Sequence, residues 1–520
     1  MSEKWDTIVV GSGIGGLAAA AALTHAGQRV LVLERHWQPG GLTQTFARDG
    51  FHFNVGVHYL GGFGSGQPNR RLFDALVGDR LKMARIEGAY DRVTFPDCSV
   101  AFEASAERFR TALSSTFPDD REGIAQYVEV LAQAQGALET VLAARCAPPL
   151  AGSALTWIKH RSIDRWVNRT TREVVNDYVA SPRARAFLAA RWGDYGSPPA
   201  ESAFALHATV TRHYMDGAWY PVGGAANFAR AFGAVITEGG GAIRTRTDVA
   251  AIEVERGRAT GVRLVDGERF EAGCVVSDIG IRNTLRRLPS QEVDYQWARD
   301  GYALEPSVGF IGLYLGLEGD IGSNGASAGN EWFYDSWDVD ALWRDPANDP
   351  RAPALFVSFP SLRDPSHIPG PRHLHTCEIS ALVATDAFAQ WDHSNREGGM
   401  HPGTDSGARS ESYRALKAQI EKNLLAQFGE RFPALLPFVR SVETSTPISV
   451  ATFTGAEHGA MYGLQTTPRR FLAPALRPRT PIRGLYLAGQ DVGTPGIVGA
   501  AMGGVMAAAS IDASLWKLAR

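Results

Sequence analysis

Several features that would place a chain outside the ordinary globular enzymes are scarce here. The 520 residues include four cysteines, Cys98, Cys146, Cys274 and Cys377, far apart and without a C-x-x-C pair. That excludes a zinc ribbon or a disulfide-stapled scaffold and suits reduced thiols in a cytoplasmic protein. No metal site is expected. Charge of one sign is also lacking: the net charge is −3, which argues against nucleic acid as the main partner. The first residues, MSEKWDTIVVGSG, have neither the basic region nor the apolar stretch of a signal peptide. Long apolar runs are missing but for one uncharged stretch, Val492 to Ile511, which is mostly Ala and Gly with Pro495 near its start. Such a run gains little from lipid, so a buried helix packed closely on another element is expected rather than a membrane span. What the chain does have is 44% hydrophobic residues, ample for a large core, over a length that predicts more than one domain.

The N-terminal residues carry a nucleotide signature. DTIVV reads as a short buried strand, GSGIGG follows at once, LAAAAALTHAG reads as a helix, and RVLVLE as a second buried strand ending at Glu34. Gly11 permits a tight turn, Gly13 lets backbone approach a pyrophosphate, and Gly16 lets helix and strand pack closely. The helix N-terminus offers unpaired N–H groups to the phosphates. Glu34, 18 residues past Gly16, stands where a carboxylate accepts ribose hydroxyls and argues against a 2′-phosphate there. The loop Gly61–Gly66 has glycines without the flanking strand and helix, so it is read as a loop, and no second complete fingerprint is present.

This motif alone does not separate FAD from NAD. The rest of the chain does, through RHWQPGGLTQTF after Glu34, a strand at AIRTR, a hairpin through AIEVERGRATGVRLVDG, then VVSD, and finally GLYLAGQD followed by a small-residue helix. Taken in order with FNVGVHYLGG and YPVGG, these segments span nearly the whole chain. They resemble the carotenoid desaturase and carotenoid isomerase group of flavoproteins, most closely its retinol saturase branch. The stretches most similar to that branch are GSPPAESAFALHATVTRHYMDGAWYPVGG, LFVSFPSLRDPSHIPG and TPISVATFTGAEHGAMYGL.

The resemblance implies an α/β fold: a Rossmann-type FAD-binding domain from discontinuous pieces, roughly 1–70, 218–285 and 470–520. An α+β substrate domain, sheet plus helices, is inserted as 71–217 and 286–469. It carries FAD contacts to Gly11, Ser12, Gly13, Ile14, Gly15, Gly16, Glu34, Arg35, Gly40, Gly41, Leu42 and Thr43. Further contacts fall on Val249, whose backbone would meet the adenine, and on Gly489, Asp491, Ile497 and Val498. The helix after Asp491 would point its N-terminus at the flavin, where a partial positive charge stabilises the reduced anion.

The implied activity is saturation of a carbon–carbon double bond in a retinoid, carotenoid or other lipophilic polyene. Desaturase and cis–trans isomerase activities of the same group, and a prenyl-lipid carrier of the GDP-dissociation-inhibitor kind that does not use FAD, are the alternatives, with amine oxidation further off. Saturation needs a hydride and a positioned acid. In flavoproteins of this fold FNVGVHYL passes the flavin ring, which makes His58 the first choice of acid and Tyr59 the second, with His213 and Tyr214 in reserve. Trp192, Tyr195, Trp219 and Tyr220 are candidates to line an apolar tunnel, and Asn330, Trp332, Glu457 and His458 form further polar–aromatic clusters. Electrons would come from transiently bound NAD(P)H or a donor protein. A nearly insoluble substrate is expected to be drawn from a bilayer, which places the protein in the cytoplasm at the inner face of a membrane. Residues 155–175, LTWIKHRSIDRWVNRTTREVV, are the candidate docking helix, with Leu155, Ile158, Trp166 and Val174 near one face and five basic residues beside them.

Overall fold

Runs of β-branched and leucine residues without alternation read as strands covered on both faces, and such strands build the first sheet. In the computed structural model, which describes residues 4–392 and 410–519, these are Trp5–Val10, Val30–Leu33 and Ala242–Arg244. They run parallel to one another. Arg269–Ser277 pairs with the other side of Trp5–Val10, and Leu485–Leu487 pairs parallel to it. Three separated stretches of chain thus share one sheet, in the strand order of a dinucleotide-binding fold, with its crevice beyond the carboxyl ends. The first residues of Arg269–Ser277 also pair antiparallel with Arg258–Leu264, which pairs with Val249–Glu255. Residues 1–3, 393–409 and 520 of the expected pieces lie outside the described residues.

The glycine–alanine run at the far end of the chain forms the buried helix Gly496–Ile511, packed on the helix Ile14–His25. Small side chains set the distance. A Cβ on Gly504 would stand 2.2 Å from the Gly15 carbonyl oxygen, and one on Gly503 would stand 2.0 Å from that of Gly489. No helix among the described residues is long and apolar enough to cross a membrane.

A second, seven-stranded sheet carries the substrate side. Its order is Val439–Ser445, Gly309–Glu318, Leu374–Val383, Ala354–Ser358, Asn330–Tyr334, Ala89–Phe95 and Cys98–Glu103, antiparallel except where Asn330–Tyr334 meets Ala89–Phe95. The period-2 alternation of a strand divides its faces. Ile311, Leu313, Leu315, Leu317, Cys377 and Ile379 pack with Ile420, Leu424 and Phe428 of the helix Glu411–Arg431. The opposite face presents Phe310, Ser380, Leu382, Phe356, Trp332 and Tyr334 to a cavity.

The expected boundaries near 70 and 285 fall within packed elements. Leu72, Phe73, Leu76 and Val77 of the helix Pro68–Val77 share a core with Ile14–His25. Ile281, Leu285 and Trp297 share one with Trp5 and Ile8. The docking helix expected over 155–175 is corrected: the segment forms Pro149–Ile158, His160–Trp166 and Thr171–Tyr178. Thr170 starts the last of these with a capping box to Glu173, which satisfies its orphan N–H groups and ends any continuation from the preceding turn. Trp166 and Val174 are core residues, while Leu150, Trp157 and Ile158 are 88%, 76% and 66% exposed.

Candidate active site

The turn after the first strand is shaped by what it must avoid. Gly11 takes φ +95°, in the region favoured only for glycine, and the helix behind it begins on Gly13 with no side-chain cap. A cleft of about 280 Å³ opens along this turn. Its walls are Gly11 to Gly15, Glu34 to His36, Gly40 to Thr43, Val249, Asp278, Glu457, Asp491 and Ile497. Glu34 holds the turn in place: its carboxylate accepts from the Ser12 N–H at 3.0 Å, the Ser12 hydroxyl at 2.6 Å and the His36 N–H at 2.8 Å. Arg35 donates to the carbonyls of Ala451 and Thr452 at 3.0 and 2.5 Å, and burial lowers its pKa. The Thr43 hydroxyl donates to the Gly40 carbonyl at 2.9 Å, closing the second glycine turn, and the Gly40 N–H donates to the Ser12 carbonyl at 3.0 Å, tying it to the first. The Val249 carbonyl accepts from Arg287.

Three of the residues expected to touch FAD stand off the cleft. Gly16 packs on the Gly11 carbonyl, where a Cβ would come to 2.3 Å. Gly489 faces Asp278. Val498 packs into the core around Ile14–His25, since neighbouring residues of a helix point about 100° apart and Ile497 takes the cleft side. Asp278, the last residue of VVSD, carries no expected site role from the sequence. Its carboxyl is ringed by glycines, with Cβ positions on Gly13, Gly15 and Gly489 at 2.7, 2.4 and 2.0 Å. Burial, then the charges of Asp491 and Glu34, push it up to about 8, against the Gly16 N–H that favours its anion.

These groups fit FAD. The uncapped helix N-terminus suits a pyrophosphate. Asp491 accepts from the Ile281 N–H through Oδ2 at 3.0 Å, while its buried Oδ1 on the cleft wall has no protein donor and suits a hydroxyl of the ribityl chain or ribose. Glu34 stands at the strand end where a ribose is held.

A second cavity, between this cleft and the second sheet, shares Gly56, Met461 and Tyr462 with it. Trp192, Phe310, Trp332, Tyr334, Phe356 and Leu382 give it apolar walls. Of the four proposed acids, His58 and Tyr59 line it and the other two do not. His58 Nδ1 is 3.2 Å from Glu378 Oε2, though the pair is not aligned as a hydrogen bond. Glu378 Oε1 accepts from the Asn54 N–H and amide at 2.7 and 3.0 Å. Tyr59 donates toward Asp194, 3.0 and 3.1 Å from its two oxygens, and lies 3.2 Å from Asp91 Oδ2. Tyr214 stacks behind Tyr59 at 4.3 Å between centroids. His213 is a correction: Asn69 bonds its Nδ1 at 3.0 Å, burial lowers it to about 4, and it reaches neither cavity. Of the expected tunnel aromatics only Trp192 lines the cavity. Tyr195 bonds His207, Trp219 joins the nucleotide-side core, and the Tyr220 hydroxyl accepts from Asn54. Trp332 is on the cavity wall, Asn330 behind it on Asp91, and Glu457 faces the cleft in ion pairs with Arg282 and Arg286.

The profile of the flavin containing amine oxidoreductase family matches residues 14–319, more than half of the chain. The protein belongs to that family. This flavin oxidoreductase is 31% identical to the all-trans-retinol 13,14-reductase of Danio rerio over 527 residues, 96% of this chain and 85% of that one. It is 26% identical to the prolycopene isomerase of Daucus carota, over 99% of this chain and 81% of that one. Among solved structures it resembles the cyclohexylamine oxidase of Brevibacterium oxydans, with a TM-score of 0.62 and 16% identity over the whole of both chains, a likeness of fold. The enzyme is an FAD-dependent oxidoreductase with a Rossmann-type nucleotide domain and an inserted α+β substrate domain.

Proposed function

We propose that the enzyme saturates a carbon–carbon double bond of a lipophilic polyene, a retinoid or a carotenoid. One observation carries this: an aromatic-walled cavity joins the FAD cleft at Gly56, Met461 and Tyr462 and presents a hydroxyl, Tyr59, next to carboxyl groups. Bound FAD, once reduced, supplies a hydride. The chain supplies the rest. Aromatic ring faces hold the flat polyene and stabilise cationic character that develops in it. The apolar walls exclude water that would compete for a reactive carbon, and an acid in the wall delivers the proton. The 31% identity to a retinol 13,14-reductase supports the retinoid class.

The test is photoreduction of the FAD-loaded protein under argon, followed by mixing with a panel of retinoids and carotenoids. Flavin reoxidation together with loss of polyene absorbance is the expected outcome. Reduced flavin that persists with every member overturns it. A change of isomer without net redox points instead to the activity named for the prolycopene isomerase relative.

A substrate of this class resides in lipid. Leu150, Trp157 and Ile158 project from the helix Pro149–Ile158, and Lys159, His160, Arg161 and Arg165 follow it, all exposed. An apolar tip with a basic collar matches a bilayer surface bearing anionic headgroups, and this tip takes the place of the helix first expected over 155–175.

A further inference from the structure

Beneath the polyene cavity lies a cluster of charges whose bookkeeping does not close. Asp91, on the strand Ala89–Phe95, is well provided for. Arg191 donates to its Oδ2 at 2.5 Å, and Asn330 and Trp332 donate to Oδ1 at 3.0 and 3.3 Å. The Arg191 guanidinium is buried over the ring of Tyr90 at 5.2 Å and that of Tyr214 at 5.4 Å. Asp194, three residues on in the same turn, receives one hydrogen bond among the described residues, from the Tyr59 hydroxyl. Two carboxyl groups therefore share one cation, and that cation is bonded to Asp91. Like charges sharing one site favour a proton on one of them. The carboxyl without a cation is where that proton sits.

Asp194 is partly exposed, and the cavity it lines is apolar. Burial first, then the charge of Asp91, hold its carboxyl up to about 7, against Arg191 and the Tyr59 bond, which favour its anion. The other groups around it, Tyr59, Tyr90, Tyr195, Tyr214, Tyr334 and Tyr462, have raised pKa values and stay neutral. His58, elsewhere in the wall, pairs with Glu378.

We propose that Asp194 stores the proton used in saturation and that Tyr59 passes it to the polyene. This rests on the function proposed above. In the step an O–H bond breaks at Tyr59 Oη and a C–H bond forms on one carbon of the former double bond. With Asp194 protonated the bond between them reverses, its O–H donating to Tyr59 Oη, and that proton moves to Oη in the same event, which leaves Asp194 as a carboxylate and Tyr59 neutral. The electron pair and second hydrogen arrive as hydride from reduced FAD, and Asp194 regains its proton from solvent after product leaves. Tyr59 is the catalytic residue that touches the substrate. Asp194 acts through it.

The experiment uses FAD-loaded wild type, Asp194→Asn, Asp194→Glu and Tyr59→Phe. Infrared spectra between pH 5 and 9 are expected to show a protonated-carboxyl band in the wild type that fades as pH rises through about 7, and that is missing from Asp194→Asn. Rates of reoxidation by the active polyene should fall about a hundredfold or more in Asp194→Asn and Tyr59→Phe, with KM little changed. The wild-type rate should fall as pH rises above about 7, and Asp194→Asn should lose that dependence. Asp194→Glu should recover both band and rate in part, and it decides the matter if the asparagine variant does not fold. Wild-type rate and pH profile in Asp194→Asn, or no carboxyl band that it removes, overturn the proposal. If no polyene reoxidises the wild type, the functional reading falls, and the infrared titration alone then decides whether Asp194 holds the proton.

Discussion

Asp278 places a titratable carboxyl against the glycine turn that suits the FAD pyrophosphate. Below about 8 it is neutral, and above that it adds a negative charge beside an anion. FAD affinity is therefore expected to fall as pH rises past 8, and Asp278→Asn should flatten the dependence. Fluorescence titration of FAD into the apoprotein between pH 6 and 9.5 measures this, and parallel curves for the two proteins would refute it. Asp278 was within sight in the sequence, as the last letter of VVSD, but nothing local says that four glycines close around it. His58 and Tyr59 were legible because an Asn-x-Gly-x-His-Tyr run between glycines is unusual in a core. The role proposed for Tyr59 draws on Asp91 and Asp194, over 30 and 130 residues away, and RWGDYG has no motif to announce it.

Elements were easier to read than residues wherever periodicity spoke. The strands at DTIVV, VGFIGLYLGL and HTCEISALVA and the terminal small-residue helix form where the apolar pattern puts them. The stretch 155–175 misled because its apolar residues fall at helical spacing across two breaks. The TTRE capping box at Thr170 was the signal that a new helix starts there. The crossing of Ile14–His25 with Gly496–Ile511 yields a prediction at this scale. Gly504→Ala sets a methyl 2.2 Å from the Gly15 carbonyl oxygen, so the helices must separate at a cost of about 1–3 kcal/mol. Because Gly15 lies in the first turn of Ile14–His25, on the wall of the cleft, the melting temperature and the FAD retained on purification should drop together. Gly136→Ala, in the middle of a helix with nothing within 4 Å, should raise the melting temperature slightly, by about 0.5–1 kcal/mol of helix preference, and leave FAD retention unchanged. Loss of stability with full FAD retention would show that the two helices do not set the turn.

At the scale of the whole molecule, the basic, apolar tip on Pro149–Ile158 predicts how the enzyme meets its substrate phase. It should float with vesicles containing an anionic lipid and bind zwitterionic ones more weakly. Each basic residue near the surface contributes about 1 kcal/mol, and added salt screens it. Serine at Leu150, Trp157 and Ile158 together should abolish flotation while leaving flavin absorbance intact. Unchanged flotation of that variant would place the contact elsewhere.

The nucleotide sheet draws on strands from both ends of the chain, and this has a consequence for how the protein is made. Gly11 of the phosphate turn and Asp491 at the last strand's end are 480 residues apart. At roughly 5–20 residues per second of synthesis, about half a minute to a minute and a half separates the first wall of the cleft from the last. A nascent chain stalled before Leu485 has the glycine turn but neither the closing strand nor Asp491. Flavin capture thus waits until Asp491 has been made, and a cell short of flavin would carry chains whose cleft rests on the Glu34 hydrogen bonds and the helix packing alone.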